Sequence, residues 1–191
     1  MNNLTTPRLE LVPATLELLE AELTSPEHLA SGLDAVLPEG WPPGQYDRPA
    51  ISYFRTRLAE HPDDAGWYGW YAIQRDSGSH NATVIGVGGF FGPPTAEHEV
   101  EIGYSIVPSF ESRGYATELV RALVHHAFSS QHVLRVIAHT TPGNTGSIRV
   151  LEKAGVSFVG AGQDPGTVQY ESRHHENISG DRCHALLPSR E

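Results

Sequence analysis

Between Val100 and Phe128 the chain changes its hydrophobic period across one short loop, and few folds accommodate that change. Val100, Ile102, Tyr104 and Ile106 alternate with Glu101, Gly103 and Ser105, the period of a strand. Leu119, Leu123 and Ala127 then recur at every fourth position, as do Val120, Val124 and Phe128. This predicts a helix of about three turns with one wide apolar face. Gly114 lies at the strand-to-helix junction, where it lets a ligand approach the backbone closely. The first helical turn contributes unpaired N–H groups and the positive end of the macrodipole, a combination that binds phosphate oxygens. Read alone, the loop fits a plain tight connection equally well.

Two familiar phosphate loops are excluded. There is no Gly-x4-Gly-Lys-Ser/Thr, and the glycines at 86, 88, 89 and 92 have the wrong spacing for a dinucleotide fingerprint, with no helical pattern behind them. The 191 residues suit one domain with a sizeable core. No apolar run nears the ~18 residues of a membrane span, and no basic-then-apolar leader is visible, so a cytoplasmic protein is expected. The net charge of −10 argues against a nucleic-acid binder held by phosphate contacts. It suits a cationic partner such as an amine, and it also serves solubility. The single cysteine, Cys183, makes no internal disulfide. Eleven histidines include the pairs His125-His126 and His174-His175, but adjacent residues rarely ligate one ion and no cysteine supports them, so no metal is expected.

Taken in order, Arg8–Val12 alternates as a first strand, and Pro13-Ala14-Thr15 opens a helix. Ser25 caps a second helix with Pro26 in its first turn. Residues 38–49 form a Pro- and Gly-rich loop with Trp41 and Tyr46, either a substrate-side lid or a packed surface loop. A helix over 50–61 precedes strands over 67–74 and 83–91, joined by a turn over 75–81. Gly86, Gly88 and Gly89 weaken the second of these strands unless a ligand or neighbouring backbone must come close. A strand over 133–139, a helix after Asn144 that ends at Gly155 as its C′ glycine, and two strands over 156–159 and 167–172 complete the domain, taken as 6–172. Residues 173–191 read as a weakly ordered polar tail.

Glu111-Ser112-Arg113-Gly114-Tyr115-Ala116 resembles the Gln/Arg-x-x-Gly-x-Gly/Ala loop of the Gcn5-related N-acetyltransferases, with Glu111 departing from the usual first residue. About thirty residues on, Asn144-Thr145-Gly146-Ser147 through Glu152-Lys153-Ala154-Gly155 resembles the family's second motif. Thr6-Pro7-Arg8-Leu9, Glu101–Tyr104 and Tyr115–Glu118 are similar to the branch that acetylates ribosomal-protein N-termini. The resemblance implies an α/β fold: a twisted, mostly antiparallel mixed sheet of about six or seven strands with helices on both faces. It further implies an acetyl-CoA-dependent N-acetyltransferase, a monomer or homodimer, in which a protein N-terminal α-amine or a small amine attacks directly. No nucleic acid or membrane enters that reading.

On this resemblance the motif residues Glu111, Ser112, Arg113, Gly114, Tyr115, Ala116 and Thr117 hold the cofactor through backbone N–H groups, the Thr117 hydroxyl and the Arg113 charge. Ile106 and Val107 pair with its pantetheine arm, and the Val107 N–H polarises the thioester carbonyl. Asn144 bonds the arm and Ser147 can approach the sulfur, while either of them can instead cap the helix. Glu101 is the first choice for general base, through a water. Glu99 shares its face and can raise its pKa; each also fits a solvated strand face. Many relatives carry a Tyr acid where Leu151 stands, which leaves Ser147, water or direct thiolate release. An acyl-CoA-binding module without turnover is the alternative from another class. A partner-binding protein using the Trp41–Tyr46 loop is a third.

Overall fold

The computed structural model describes residues 2–75 and 82–174. The expected turn over 75–81, except Arg75, the expected tail beyond His174, and Cys183 lie outside the described residues. The sheet has eight strands: β1 (Leu4–Thr5), β2 (Leu9–Pro13), β3 (Gly69–Gln74), β4 (Thr83–Phe90), β5 (Glu99–Ile106), β6 (Arg135–Thr140), β7 (Ser157–Ala161) and β8 (Val168–Arg173). Their order is β1-β2-β3-β4-β5-β6-β8-β7, and every neighbouring pair is antiparallel except β5 and β6. The strand beyond the expected six or seven is β1, two residues long and too short to show a period.

Helices α1 (Leu16–Thr24), α2 (Pro26–Leu33) and α3 (Arg48–Glu60) lie between β2 and β3 in the chain, α4 (Tyr115–Phe128) joins β5 to β6, and α5 (Thr145–Ala154) joins β6 to β7. Each helix buries one stripe, and the central strands are apolar on both sides. In β3, Trp70 and Ala72 belong to the core under α4 and α5, while Tyr71 and Ile73 belong to the core under α1–α3. The β3–β4 register shifts between Ala72 and Ile73, which returns Ile85 to the first core and Val84 and Val87 to the second.

The local signals set the ends. Thr15 caps α1 and Ser25 caps α2, each accepting an N–H from its own first turn. α3 begins earlier than the expected residue 50, because Asp47 caps it and Pro49 fits the first turn, where no N–H is needed. α4 has 14 residues, longer than three turns. The glycines of β4 answer to neighbouring strands: a Cβ on Gly86 would sit 2.5 Å from the Ser105 carbonyl oxygen, and one on Gly89 would sit 1.9 Å from that of Tyr68.

Candidate active site

β5 and β6 run side by side for only three residue pairs, Glu99 with Arg135, Val100 with Val136 and Glu101 with Ile137. Beyond these, β5 stays with β4 and β6 stays with β8, so the sheet forks. The Val107 N–H donates to the Ile85 carbonyl at 2.9 Å, so it is not free to polarise a thioester. Backbone alternation along an antiparallel pair then turns the groups of Glu101, Gly103, Ser105 and Val107 toward β4, and those of Tyr104 and Ile106 into the fork. The expected polarising role therefore fails at Val107, one residue beyond a better-aimed N–H.

A cleft of about 640 Å³ opens at the fork. Glu101, Ser147 and Asn144 line it; Glu99 does not. Glu101 Oε1 lies 2.8 Å from His139 Nδ1, so the two splayed strands each supply one member of a pair at the root of the fork. Against a carboxylate, Nδ1 carries the proton and donates. His139 Nε2 is buried and finds no partner among the described residues. Glu99 pairs with Arg135 at 2.7 Å, and Arg135 also reaches Glu171 at 3.5 Å. The repulsion expected between Glu99 and Glu101 is therefore offset by a cation. His139 escaped the motif reading, being 38 residues from Glu101. The signal that exposes it is register: Arg135, Ile137 and His139 share a face and run parallel to Glu99 and Glu101.

On the other side of the fork, Asn144 caps α5 by accepting the Ser147 N–H at 3.1 Å. That leaves the Ser147 hydroxyl for Tyr104, whose OH lies 2.9 Å from Ser147 Oγ and also donates to the Ser147 carbonyl at 3.1 Å. Burial pushes the Tyr104 hydroxyl up to about 12, so it keeps its proton at neutral pH. Leu151 is fully buried in the core and carries no proton to give.

Past β5 the chain makes a single 3-10 turn over Pro108–Phe110 and then enters α4. Ser112 and Gly114 both have positive φ, +60° and +82°. Gly114 is the N-cap and makes no side-chain cap bond. Among the described residues, the N–H groups of 112–117 find no acceptor within the protein; the Glu118 N–H is the first to do so, from the Gly114 carbonyl. Successive N–H groups around a left-handed residue form an anion-binding concavity. Arg8 braces this loop. Its guanidinium lies 2.6 Å from Glu118, donates to the Arg113 carbonyl at 3.0 Å, and covers the Tyr115 ring at 4.4 Å. Tyr115 is buried beneath it, so its backbone is the part that faces outward. Arg113 itself packs its guanidinium 5.6 Å from the Phe110 ring.

Gly44, Gln45 and Tyr46 of the 38–49 loop line the same cleft as Glu101. Glu22 of α1 accepts hydrogen bonds from Trp41 Nε1 at 2.9 Å, Tyr46 OH at 2.8 Å and Tyr71 OH at 2.6 Å. Gly44 packs against Ser105 of β5, where a Cβ would come within 2.5 Å of the hydroxyl. The loop is thus packed against the sheet, the second of the two expectations for it. Among the described residues no group of metal-ligating side chains is assembled, and no helix is long and apolar enough to cross a membrane.

The chain and its fold have counterparts among known proteins. YjdG of Bacillus subtilis (strain 168), named as an uncharacterized N-acetyltransferase, is 30% identical over 152 residues, 80% of this chain and 88% of its own. A solved structure of RimL, a ribosomal L7/L12 alpha-N-protein acetyltransferase in complex with coenzyme A, has the same fold. It superposes with a TM-score of 0.61 at 17% identity, over 90% of this chain and 98% of that one. So does that of MccE, a microcin C7 self-immunity acetyltransferase in complex with acetyl-CoA and AMP, with a TM-score of 0.57 at 16% identity over 88% and 94%. The family model for the acetyltransferase (GNAT) domain matches residues 8–157, and with the forked sheet and the loop before α4 the chain belongs to that family of N-acetyltransferases.

Proposed function

We propose that the protein transfers an acetyl group from acetyl-CoA to a primary amine, with Glu101 as general base. The observation that carries this reading is the fork, which sets the Glu101–His139 pair at its root and leads along β5 to the unpaired N–H groups at 112–117. RimL and MccE, which share the fold, are described in complex with coenzyme A and acetyl-CoA. The residues present fit that cofactor. The N–H groups from Ser112 to Thr117 suit its phosphates. The outward backbone groups of Tyr104 and Ile106 suit amides in an extended arm, as a neighbouring strand would. Asn144 lines the cleft beside that path, its side-chain oxygen holding the Ser147 N–H.

When bound, acetyl-CoA supplies an activated acetyl group; the protein supplies position and proton movement. The Glu101 carboxylate takes a proton from the ammonium, directly or through one water, and His139 fixes its orientation. Glu99 is held by Arg135 and serves the strand pair. The Ile106 N–H replaces that of Val107 as the donor aimed into the fork. Tyr104 and Ser147 form a protonated hydroxyl pair able to deliver a proton to a leaving thiolate, in the role that Leu151 cannot fill. No cysteine lies among the cleft residues, which favours direct attack over a covalent intermediate. The domain carrying this activity is taken as 6–172.

The test is thermal unfolding with and without acetyl-CoA, followed by free-thiol release against a panel of amines and N-terminal peptides. Stabilisation with thiol release is expected. Glu101→Gln should lower kcat by roughly 100-fold or more with little change in acetyl-CoA affinity. Glu99→Gln having that effect instead would reassign the base. Stabilisation without release from any amine would favour a binding module.

A further inference from the structure

The cleft's lining carries a second message, about the acceptor. Among the described residues lining it there is no lysine and no arginine, and Glu101 is the single carboxylate. On the face where Glu101 and His139 point, the aromatic residues lining the cleft are Tyr46, Phe54 and Phe91; the Phe90 side chain packs on the other side of the sheet, in the core under α4. Tyr46 and Phe54 are buried and fixed by packing. Phe91 differs: it lies just past the end of β4, its ring rests on Gly103, and it is 52% exposed. A large exposed aromatic at the edge of a cleft is apolar surface without an intramolecular use.

We propose that the acceptor is a small primary amine carried on an uncharged apolar body of about phenethyl size. This rests on the acetyl-transfer reading and narrows its acceptor. An ammonium entering the cleft meets one carboxylate and the faces of aromatic rings, both of which attract cations. An acceptor with a carboxylate or phosphate beside its amine brings a second anion next to Glu101, and no lysine or arginine of the lining receives it. Such a site selects by exclusion as much as by attraction. A polypeptide N-terminus fits less well. Its chain must leave the cleft past Phe91 and the rim. The rim formed by Gly44, Gln45 and Tyr46 is also tied down through Glu22. The cleft volume lies in the small-molecule range, and the cofactor's arm must share it.

The experiment compares phenethylamine, ethylamine, phenylalanine and a peptide with a free Ala N-terminus. With the wild-type protein saturated with coenzyme A, thermal shift reads binding without turnover; thiol release with acetyl-CoA reads kcat/KM. Phenethylamine should stabilise the coenzyme A complex and phenylalanine should not. In kcat/KM, phenethylamine should exceed ethylamine by about 10-fold or more and phenylalanine by about 100-fold or more. Phe91→Ser, at an exposed position, should cut the phenethylamine-to-ethylamine ratio several-fold. Stabilisation by acetyl-CoA together with equal or better turnover of phenylalanine or the peptide would overturn the acceptor assignment and leave acetyl transfer standing. If acetyl-CoA gives neither stabilisation nor thiol release with any amine, the acetyl-transfer reading fails and the acceptor assignment falls with it.

Discussion

The loop over 38–49 and the loop over 107–114 are both short of regular structure, both border the fork, and each is tied to the body by one carboxylate. Glu22 ties the first and Glu118 the second, with opposite electrostatics. Glu22 is largely buried and meets three neutral donors, Trp41, Tyr46 and Tyr71. Burial raises its pKa, and the three hydrogen bonds offset that only in part. The same burial pushes the Tyr46 and Tyr71 hydroxyls well above their ordinary range. Glu118 also feels burial, but Thr6, the Arg8 N–H and the Arg8 guanidinium outweigh it and hold the carboxyl below its usual value. Hydrogen bonds alone therefore do not decide the sign; the counter-cation and the depth do. The loops differ in function for a related reason. The first spends its polar groups on the scaffold, while the second keeps a run of N–H groups free for a ligand.

The substitution expected to have the largest effect is Gly114→Val. A branched residue at φ +82° is strained, and its side chain stands where a ligand must meet the backbone. Acetyl-CoA affinity should fall more than about 100-fold, removing the roughly 2.7 kcal/mol that ligand at ~100 times its dissociation constant confers on the wild type. An unchanged thermal shift would dissolve the contrast between the loops. Next is Glu22→Ala, which leaves three donors without their acceptor and should cost about 2 kcal/mol in denaturant unfolding. A loss below about 1 kcal/mol would show the 38–49 loop held by its apolar packing instead. Arg8→Ala breaks a brace that is partly exposed, and about 1 kcal/mol is expected, with weaker acetyl-CoA binding because the 113–117 backbone loses a support.

The smallest effect is the most diagnostic. With a pKa raised above 4.5, Glu22 binds its proton more tightly folded than unfolded, so its contribution is full below that value and declines as pH rises through the shifted pKa. Glu118 is lowered, so its contribution is full above 4.5 and is lost as pH falls through its folded pKa. Stability of Glu22→Gln relative to wild type should improve from pH 4 to 7, and that of Glu118→Gln should worsen over the acid side of the same range. Parallel curves would mean that both carboxylates sit in one kind of environment.

What local pattern carries, the chain announces. The change of period around Gly114, the caps at Ser25 and Asn144, and the αL glycine closing α5 at Gly155 were all readable, because each is settled within a few residues. The Glu101–His139 pair was not, since it depends on how two parallel strands register across a whole helix. Glu22 is one of three glutamates on α1, with nothing local to single it out. Its three partners lie 19, 24 and 49 residues away, and no periodicity records such a meeting. The eighth strand was missed because two residues have no period. The Val107 N–H was misassigned because which side of a strand a given amide faces is fixed by its neighbour, Ile85, and not by the strand's own letters.

The glycines around the cleft have one further consequence. Gly69, Gly88, Gly89 and Gly103 all contribute to its walls, and at Gly88, Gly89 and Gly103 a methyl group would run into a neighbouring chain segment. That stretch of wall is bare peptide. It offers a mutating lineage nothing to trim and little room to add. Diversification of acceptor preference must then travel through a few adjustable positions, Phe91 foremost, while the rest of the enclosure is inherited unchanged.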